Sequence, residues 1–477
     1  MPSRIAAAMV APDPKLMESN EVDGMAFSPG TPLLTFAVEA IEEGEGFALN
    51  VSPSDGSGVR SYRVEGPEPE AFAAMFDALH ADFGTRRPHH AEPPQDYPAP
   101  PWRPLITGNL HPRILSGYGD PAVLRTDDGW WLVATSNDAP DAFPILHSTD
   151  LETWDPKGFV FEKGRTPAWT AAGLKVGDFW APEIARVGEE YWLSYTARAA
   201  DRTLSIGLAR ATHPGGPWTD NGEPLLTGTV IDSHVHVDAE GTPWLLWKKD
   251  SNSHWPRPLA ALLRENPDLI PVLFDEEGDR RTAAFCAAIQ PFANTRRPME
   301  RFFLMQPLIR AALANWRKVK SALEASGLAA HVTENMATPI YAQQLGADGR
   351  SLVGDRHLLL ANDLDWEGHL IEGPYLTHRD GRYYLFYAGN DFTSPSYGIG
   401  YAVADRITGP WRKAEQPLLR SHPDWSAPGH ASVSVGIDGE PRLFFHAFHP
   451  GTGGYNVFRA LMTVGLAFSG DEVTLVP

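Results

Sequence analysis

Five segments of the chain repeat one pattern, and this repetition limits the folds that the chain can adopt. Each segment places a turn before a short, mostly aromatic strand with leucine at one fixed position; the leucines are Leu132, Leu193, Leu245, Leu385 and Leu443. Successive leucines lie 61, 52, 140 and 58 residues apart. Three spacings match one four-stranded blade, and the fourth equals a blade plus roughly 80 residues. The repeat predicts an all-β fold, a five-bladed β-propeller over residues 105–477.

The surplus residues of the third unit have a helical character. They lie at about 254–337, and within them the segment 307–327 places four apolar side chains on one helical face before a glycine: Ile309, Leu313, Trp316 and Leu323, then Gly327. We predict a helical insertion in blade 3. It follows the second strand of its blade, so we expect it to overhang the mouth where the innermost strand begins, and to narrow the pocket or form a homo-oligomer contact.

The residues before the repeats are predicted to form a separate, small α+β unit, residues 1–85. Three short segments have strand character, and a helical pattern follows them with Phe72, Phe76, Leu79 and Phe83 on one face and Gly84 at its end. Residues 86–104 contain seven prolines and are predicted to be a stiff linker.

Composition and charge exclude several classes of partner. The chain has 40 basic and 60 acidic residues and a net charge of −20, so nucleic acid and anionic membranes would be repelled. A neutral partner such as an oligosaccharide fits better, and 15 Trp, 22 Phe and 13 Tyr suit sugar binding. Cys286 is the single cysteine, which excludes an intramolecular disulfide and a Cys-rich zinc site, and its apolar neighbours predict a core position.

The targeting signals in the sequence are weak. The apolar run near the start, Ile5 to Val10, has six residues and is short for a signal-peptide core. No segment approaches the ~20 apolar residues of a membrane span. We therefore expect a cytoplasmic location and no membrane partner.

One position of the repeat, 12 or 13 residues before each leucine, carries residues suited to chemistry. The residues there are Asp120, Trp180, Asp232, Glu372 and His430. Rotation about the propeller axis relates equivalent positions, so we expect these side chains to form a ring at one mouth of the central channel. Two carboxylates on either side of a glycosidic bond supply acid and base, and ~6.5–9.5 Å between them admits a water and gives inversion. A third carboxylate nearby raises the pKa of the acid.

At these residues the chain resembles the family 43 glycoside hydrolases. The stretches that carry the resemblance follow the family's order: GYGDPAVL (117–124), FPILHSTDLETW (143–154), FWAPEI (179–184), VIDSHVHVD (230–238), LIEGPYL (370–376) and APGHASV (427–433). Together they cover nearly all of residues 105–465 except the insertion. The resemblance implies a five-bladed propeller, with Asp120 as general base, Asp232 as the residue that orients the acid and tunes its pKa, and Glu372 as general acid.

The resemblance also implies substrate-binding residues, which are Phe179, Trp180, His430 and Arg459. His430 is similar to the family's axial histidine, which faces the sugar and contacts a central calcium or a water. No cofactor is then required for the chemistry, and a structural Ca²⁺ on the propeller axis is an expectation. His236 departs from the family, which has an apolar residue there. His234 and His236 have a spacing known for metal ligands, but without a further ligand set we interpret them as polar strand residues.

The sequence therefore predicts an inverting glycoside hydrolase. By resemblance it removes terminal xylose or arabinofuranose from short oligosaccharides. Two alternatives are an endo-acting arabinanase and a propeller that binds carbohydrate without catalysis; the three carboxylates count against the second.

Overall fold

The computed structural model describes residues 34–40, 47–53, 57–64, 69–87, 101–171, 177–296 and 298–477. These residues form two compact units. The first contains the described residues of 1–90 and 251–336, and the second contains those of 91–250 and 337–477. Most of the predicted linker, residues 88–100, lies outside the described residues.

The first unit contains three strands and seven helices among the described residues. Its strands are β1 (Leu34–Ala40), β2 (Phe47–Pro53) and β3 (Arg60–Val64), which pair antiparallel in that order. Its helices are α1 (Pro69–Phe83), α2 (Pro256–Glu265), α3 (Ile270–Leu273), α4 (Glu277–Asn294), α5 (Pro298–Leu313), α6 (Trp316–Ser326) and α7 (Ala330–Thr333), with a 3₁₀ turn at Pro267–Leu269. The helix predicted over 307–327 is in fact divided between α5 and α6, because Asn315 has φ −138° and begins a new helix.

The amino-terminal segment and the insertion share one hydrophobic core. Along β2, Phe47, Leu49 and Val51 are fully buried, as alternation on a strand requires. The Phe47 ring lies 4.8 Å from the ring of Phe292 in α4, measured between centroids. The core therefore joins two segments that are about 200 residues apart in the sequence and that the sequence analysis treats separately.

An ion pair with a buried carboxylate also joins these two segments. The Asp279 carboxylate, 1% exposed, accepts hydrogen bonds from Arg86 Nε at 2.6 Å and Arg86 Nη2 at 3.2 Å. A buried carboxylate is costly without such a partner, and the bidentate geometry satisfies both of its oxygens.

The second unit is built from five antiparallel sheets within the described residues. Blade 1 contains β5 (Ala122–Thr126), β6 (Gly129–Val133), β7 (Ala142–Ser148) and β8 (Asp155–Phe161), after an earlier strand β4 (Arg103–Ile106). Blade 2 contains β9 (Trp180–Val187), β10 (Glu190–Arg198), β11 (Leu204–Ala211), β12 (Thr219–Asp220) and β13 (Leu226–Thr227). Blade 3 contains β14 (Val230–Val237), β15 (Pro243–Lys249), β16 (Ile340–Leu345) and β17 (Leu352–Leu360).

The last two sheets follow a 3₁₀ turn at Asp365–Glu367. Blade 4 contains β18 (Ile371–Arg379), β19 (Arg382–Gly389), β20 (Gly398–Ala404) and β21 (Arg412–Lys413). Blade 5 contains β22 (Ser426–Val435), β23 (Pro441–Phe448), β24 (Arg459–Ser469) and β25 (Glu472–Val476). Strand β4 pairs with β24, so backbone hydrogen bonds tie the start of this unit to its last blade.

The first strands of the five sheets contact one another in a closed cycle: β5, β9, β14, β18, β22 and again β5. The second strand of each sheet carries the repeat leucine, and all five leucines are fully buried. The helices α2 to α7 lie in sequence between β15 and β16 of blade 3. The predicted all-β propeller with a small α+β unit and a helical insertion in blade 3 is therefore confirmed.

Two further expectations concern single features. Cys286 is fully buried in the core of the first unit, as its apolar neighbours predict. Across the ranges given above, none of the helices is long and apolar enough to cross a membrane.

The shared core of the first unit leads to a prediction about stability. Phe47→Ala should lower the free energy of opening of α4 by about 3–5 kcal/mol, because the cavity lies against Phe292. Hydrogen exchange followed by mass spectrometry measures this as lost protection in the peptides of α4. Val59→Ala, at a residue that is 66% exposed, is the control. Unchanged protection of α4 in the Phe47 variant would show that the two segments fold independently.

Candidate active site

At one equivalent position in or shortly before each innermost strand, the backbone has φ in the left-handed region. These residues, which we call the αL ring, are Asp120 (φ 51°), Ala181 (44°), Asp232 (56°), Gly373 (57°) and His430 (47°). In blades 2 to 5 the ladder to the second strand is interrupted at this point. Such an irregularity turns a side chain away from the regular alternation, and non-glycine residues adopt this conformation only at a cost in strain.

The αL ring corrects two members of the ring that the sequence predicts. In every blade the αL residue lies three positions before the partner of the repeat leucine. Blades 1, 2 and 4 have two-residue turns between their first two strands, and there it lies 12 residues before the leucine. Blades 3 and 5 have five-residue turns, and there it lies 13 before. Counting back 13 residues from the leucine in blades 2 and 4 selects Trp180 and Glu372. The residues at the equivalent position of the structure are Ala181 and Gly373, one residue later in each blade.

Asp120 is surrounded by donors. Its Oδ1 lies 2.8 Å from Arg459 Nη1, and its Oδ2 accepts a hydrogen bond of 2.5 Å from Thr135 Oγ1. Arg459 can reach it only because residue 119 is glycine: a Cβ there would lie 1.8 Å from the Arg459 Cζ. Burial alone would raise the pKa of Asp120, but the charge of Arg459, with nearby histidines and Thr135, outweighs burial and holds the pKa well below its usual range.

Asp232 is held by the neighbouring blade. Its Oδ2 accepts the amide hydrogen of Gly373 at 2.9 Å, and its own amide hydrogen goes to Thr196 Oγ1 at 3.1 Å. Burial raises the pKa of Asp232 to about 7; Lys248 opposes this rise, and the charge of Asp120 adds to it.

Glu372 lies between two donors. Tyr397 Oη donates to its Oε1 at 2.8 Å, and Lys248 Nζ donates to its Oε2 at 3.3 Å. Burial raises the pKa of Glu372 to about 7, against the charge of Lys248 and with the repulsion of Asp232. Glu372 is therefore a buried carboxyl with partners, and it can hold a proton near neutral pH.

His430 links the carboxyls. Its Nδ1 lies 3.6 Å from Asp120 Oδ1 and 3.9 Å from Asp232 Oδ2, and its side chain is 5% exposed. Gly373 makes room for it, because a Cβ at that position would lie 2.9 Å from His430 Nδ1. The structure therefore brings Asp120, Asp232 and His430 together, and places Glu372 beside Gly373 in the same site.

Trp180 lies directly before the αL residue of blade 2. Its Nε1 donates to Tyr455 Oη at 3.0 Å, and Tyr455 Oη donates to Asp178 Oδ1 at 2.7 Å. The Arg198 guanidinium lies 5.7 Å from the centroid of the Trp180 ring. The indole is half-buried, and these contacts fix its orientation.

Phe179 differs from the prediction. Its ring is 4% exposed and packs in the core between blades 1 and 2, with centroids 5.6 Å from Phe143 and 6.5 Å from Phe161. Its backbone pairs with Asn137 of blade 1. Phe179 thus supports the site from the core and does not line it, because a large apolar ring gains more by burial between two sheets.

A second layer of polar side chains lies two residues further along the innermost strands. His234 Nδ1 lies 3.4 Å from Glu183 Oε2, and the His234 ring packs on Tyr375 at 4.2 Å between centroids. Burial raises the pKa of Glu183 well above its usual value and lowers the pKa of His234 to about 3, so burial disfavours the charged form of both groups. His234 and His236 are buried and half-buried strand residues, in agreement with the sequence interpretation.

The residues around His430 do not fit a calcium ion bound directly by the protein. Calcium takes six to eight oxygen ligands. The oxygens nearest His430 are already committed, Asp120 Oδ1 to Arg459 and Asp232 Oδ2 to the Gly373 amide. Over the ranges that the structure describes, no three His, Cys, Asp or Glu side chains are grouped so that they could hold a metal ion. We derive no chemical step through a metal.

Sequence reasoning missed several residues that contact the carboxyls. They are Thr135, Lys248, Tyr397 and His446. Three of the four lie three residues after a repeat leucine, so extending the repeat alignment into the second strand would have found them. Tyr397 lies in a segment before β20, outside the repeat pattern used, and no sequence signal identifies it.

Comparison with known proteins agrees with this geometry. The family model described as "Glycosyl hydrolases family 43" matches residues 111–265 and 313–473. A β-D-galactofuranosidase of Aspergillus niger is 34% identical over 335 residues, 66% of this chain and 69% of that protein. An extracellular endo-α-(1→5)-L-arabinanase of Bacillus subtilis is 28% identical over 136 residues, 26% of this chain and 41% of that protein. The latter match thus spans less than half of the arabinanase.

A solved structure supports the same relationship. The crystal structure of a thermostable family-43 glycoside hydrolase has a TM-score of 0.54 and 26% identity, covering 76% of this chain and 93% of that chain. The family model is interrupted only at residues 266–312, within the insertion, and it includes Asp120, Asp232 and Glu372. On these grounds the chain belongs to family 43 of the glycosyl hydrolases.

Proposed function

We propose that this glycoside hydrolase inverts configuration and removes terminal pentosyl residues, xylose or arabinofuranose, from short oligosaccharides. Asp120 is the general base, Glu372 is the general acid, and Asp232 keeps the acid protonated. The observation that carries the proposal is the opposite electrostatic state of two carboxyls in one site. The pKa of Asp120 is held well below its usual range by Arg459, whereas the pKa of Glu372 is raised by burial to about 7.

The chemistry follows from these two states. Asp120, ionised at neutral pH, takes a proton from a water whose oxygen attacks the anomeric carbon. The bond from that carbon to the leaving oxygen breaks, and the proton of Glu372 passes to the leaving oxygen. Asp232 repels a negative charge on Glu372 and so favours its protonated form before the reaction. Attack on the face opposite the leaving group inverts the anomeric centre.

A second candidate is the release of galactofuranose. It is favoured by the Aspergillus galactofuranosidase, which matches 66% of this chain. β-D-Galactofuranose and α-L-arabinofuranose share the arrangement of their ring hydroxyls, and the exocyclic chain of galactofuranose is one carbon longer. The extra unit is a CHOH group, so the space and the hydrogen-bond partners around it would separate the two substrates; a single methylene group alone is worth about 10- to 200-fold.

Substrate choice and stereochemistry form the first test. The 4-nitrophenyl β-D-xyloside, α-L-arabinofuranoside and β-D-galactofuranoside should be compared with linear arabinan and xylo-oligosaccharides. One of the pentosides should be hydrolysed with kcat/KM at least about tenfold above the galactofuranoside. Proton NMR should detect the inverted anomer first. A retained anomer contradicts the mechanism, faster galactofuranoside cleavage supports the second candidate, and internal cleavage of arabinan indicates an endo-acting enzyme.

The acid is tested by Glu372→Gln. This variant should lose at least about 100-fold in kcat on unactivated oligosaccharides, because the leaving oxygen then receives no proton. A 2,4-dinitrophenyl glycoside, whose leaving group needs little protonation, should lose far less. Glu440→Gln, at an exposed glutamate, is the matched control. Equal losses on the two substrates would show that Glu372 is not the acid.

The pKa shifts predict the pH profile of kcat/KM. Activity should decline above pH about 7, because Glu372 and Asp232, whose pKa values are raised to about 7, then lose the proton that the acid must carry. Activity should persist to acidic pH, because the pKa of Asp120 lies below its usual range. Circular dichroism across the range separates this effect from unfolding. A profile that is flat from pH 6 to 9 would contradict the assignment of the acid.

A further inference from the structure

In four of the five blades, one position near the end of the second strand contacts the start of the next blade's innermost strand; blade 4 has Ala388 there. This position lies three residues after the repeat leucine. In three blades its side chain accepts the amide hydrogen of an αL residue; the accepting and donating residues are Thr135 and Ala181, Thr196 and Asp232, and His446 and Asp120, at 2.8, 3.1 and 3.1 Å. The ordinary task at this position is therefore to satisfy a backbone donor beside the channel.

Blade 3 has Lys248 at this position, and an ammonium group cannot accept a hydrogen bond. Its side chain is 1% exposed, and its Nζ donates to Glu372 Oε2 at 3.3 Å and to Asp250 Oδ1 at 3.1 Å. The amide hydrogen of Gly373, the αL residue of blade 4, goes to Asp232 instead. Lys248 thus does not perform the task of its equivalents, and another residue has taken it over.

A buried ammonium group is costly, so its presence needs a reason. Burial lowers the pKa of Lys248, but the carboxyls of Asp250, Glu372 and Asp232 outweigh burial and hold the pKa above its usual value. Lys248 is therefore charged throughout the pH range of catalysis. A threonine or histidine would satisfy the backbone without this cost, as it does in blades 1, 2 and 5.

We propose that Lys248 is a positioning residue of the hydrolysis, whose ammonium group stabilises the carboxylate that Glu372 becomes when it has given its proton to the leaving oxygen. The inference rests on the proposed role of Glu372 as acid. Each turnover leaves a new negative charge on a buried carboxyl next to Asp232. A cation 3.3 Å from Oε2 offsets that charge, and it also fixes the plane of the carboxyl together with Tyr397 on Oε1.

The charges around Glu372 come from four elements. The groups that face it are Lys248 of β15, Asp232 of β14, Tyr397 before β20 and His430 of β22. Lys248 in turn faces Asp250 and Asp232 and influences the buried His369. Asp250 competes with Glu372 for the ammonium group. Removing Lys248 should therefore raise the pKa of Glu372, and removing Asp250 should lower it.

The test uses this opposition. Lys248→Thr installs the residue that two other blades have at the equivalent position. The alkaline limb of kcat/KM should move up by about 1 pH unit, because an opposite charge at this distance lowers a carboxyl pKa by about 1–3. The kcat on unactivated oligosaccharides should fall at least about tenfold, and that on a dinitrophenyl glycoside less than about threefold. Asp250→Asn should move the alkaline limb down.

Controls separate a charge effect from a folding defect. Lys249→Met changes the next lysine on β15, whose side chain points to the other face of the strand, and should leave the profile unchanged. Lys248→Met removes the charge but keeps the length of the side chain, and should shift the profile as Lys248→Thr does. If either single variant does not fold, the double variant Lys248→Met with Asp250→Asn, which removes one positive and one negative charge, should show the same upward shift.

Three outcomes decide the proposal. Opposite shifts for the Lys248 and Asp250 variants support it. An unchanged alkaline limb in folded Lys248 variants, or equal losses on both substrates, overturns it and leaves Lys248 a structural residue. Full activity of Glu372→Gln on unactivated oligosaccharides instead overturns the assignment of the acid itself, and that result does not depend on any Lys248 variant.

Discussion

The left-handed backbone conformation at the start of each innermost strand is the constraint on which the site depends. It occurs at five equivalent positions, and at three of them an aspartate or histidine adopts it although a side chain makes it unfavourable. The gain is geometric, because side chains from different blades turn toward one another across the channel. The closed cycle of first strands and the pairing of β4 with β24 hold these conformations in place.

Burial is common to the three carboxyls, and their partners decide how their pKa values differ. Asp120, Asp232 and Glu372 are all buried, which by itself raises the pKa of each. Asp120 alone has an arginine at 2.8 Å and a hydroxyl donor at 2.5 Å, and this reverses the effect of burial. Asp232 and Glu372 share the charge of Lys248 with Asp250, so the effect of burial is larger and their pKa values are raised. The difference between base and acid is therefore set by the neighbours that the blades supply.

The core of the first unit depends on contacts between two segments that are far apart in the chain. Its core combines β2, α1 and the helices inserted between β15 and β16, so the insertion buries its apolar faces against a segment from before the propeller. A helical insertion of this size exposes apolar surface unless another element covers it. The amino-terminal segment supplies that element, and the Arg86–Asp279 pair fixes the contact. This gives the residues before the propeller a structural role.

The sequence by itself determined the fold class and the helical insertion and predicted the three carboxyls of the site, because each depends on a residue pattern inside a strand or helix and on the recurrence of that pattern along the chain. The repeat leucines are buried at equivalent positions, and Gly84 and Gly327 end their helices in the left-handed conformation.

Only the tertiary structure decided the register of the ring, since turns of two or five residues shift the count by one. It alone also decided the core position of Phe179, the union of two distant segments in one core, and the pairing of Lys248 with Glu372. Each of these depends on contacts between residues far apart in the chain, and local sequence patterns do not encode such contacts.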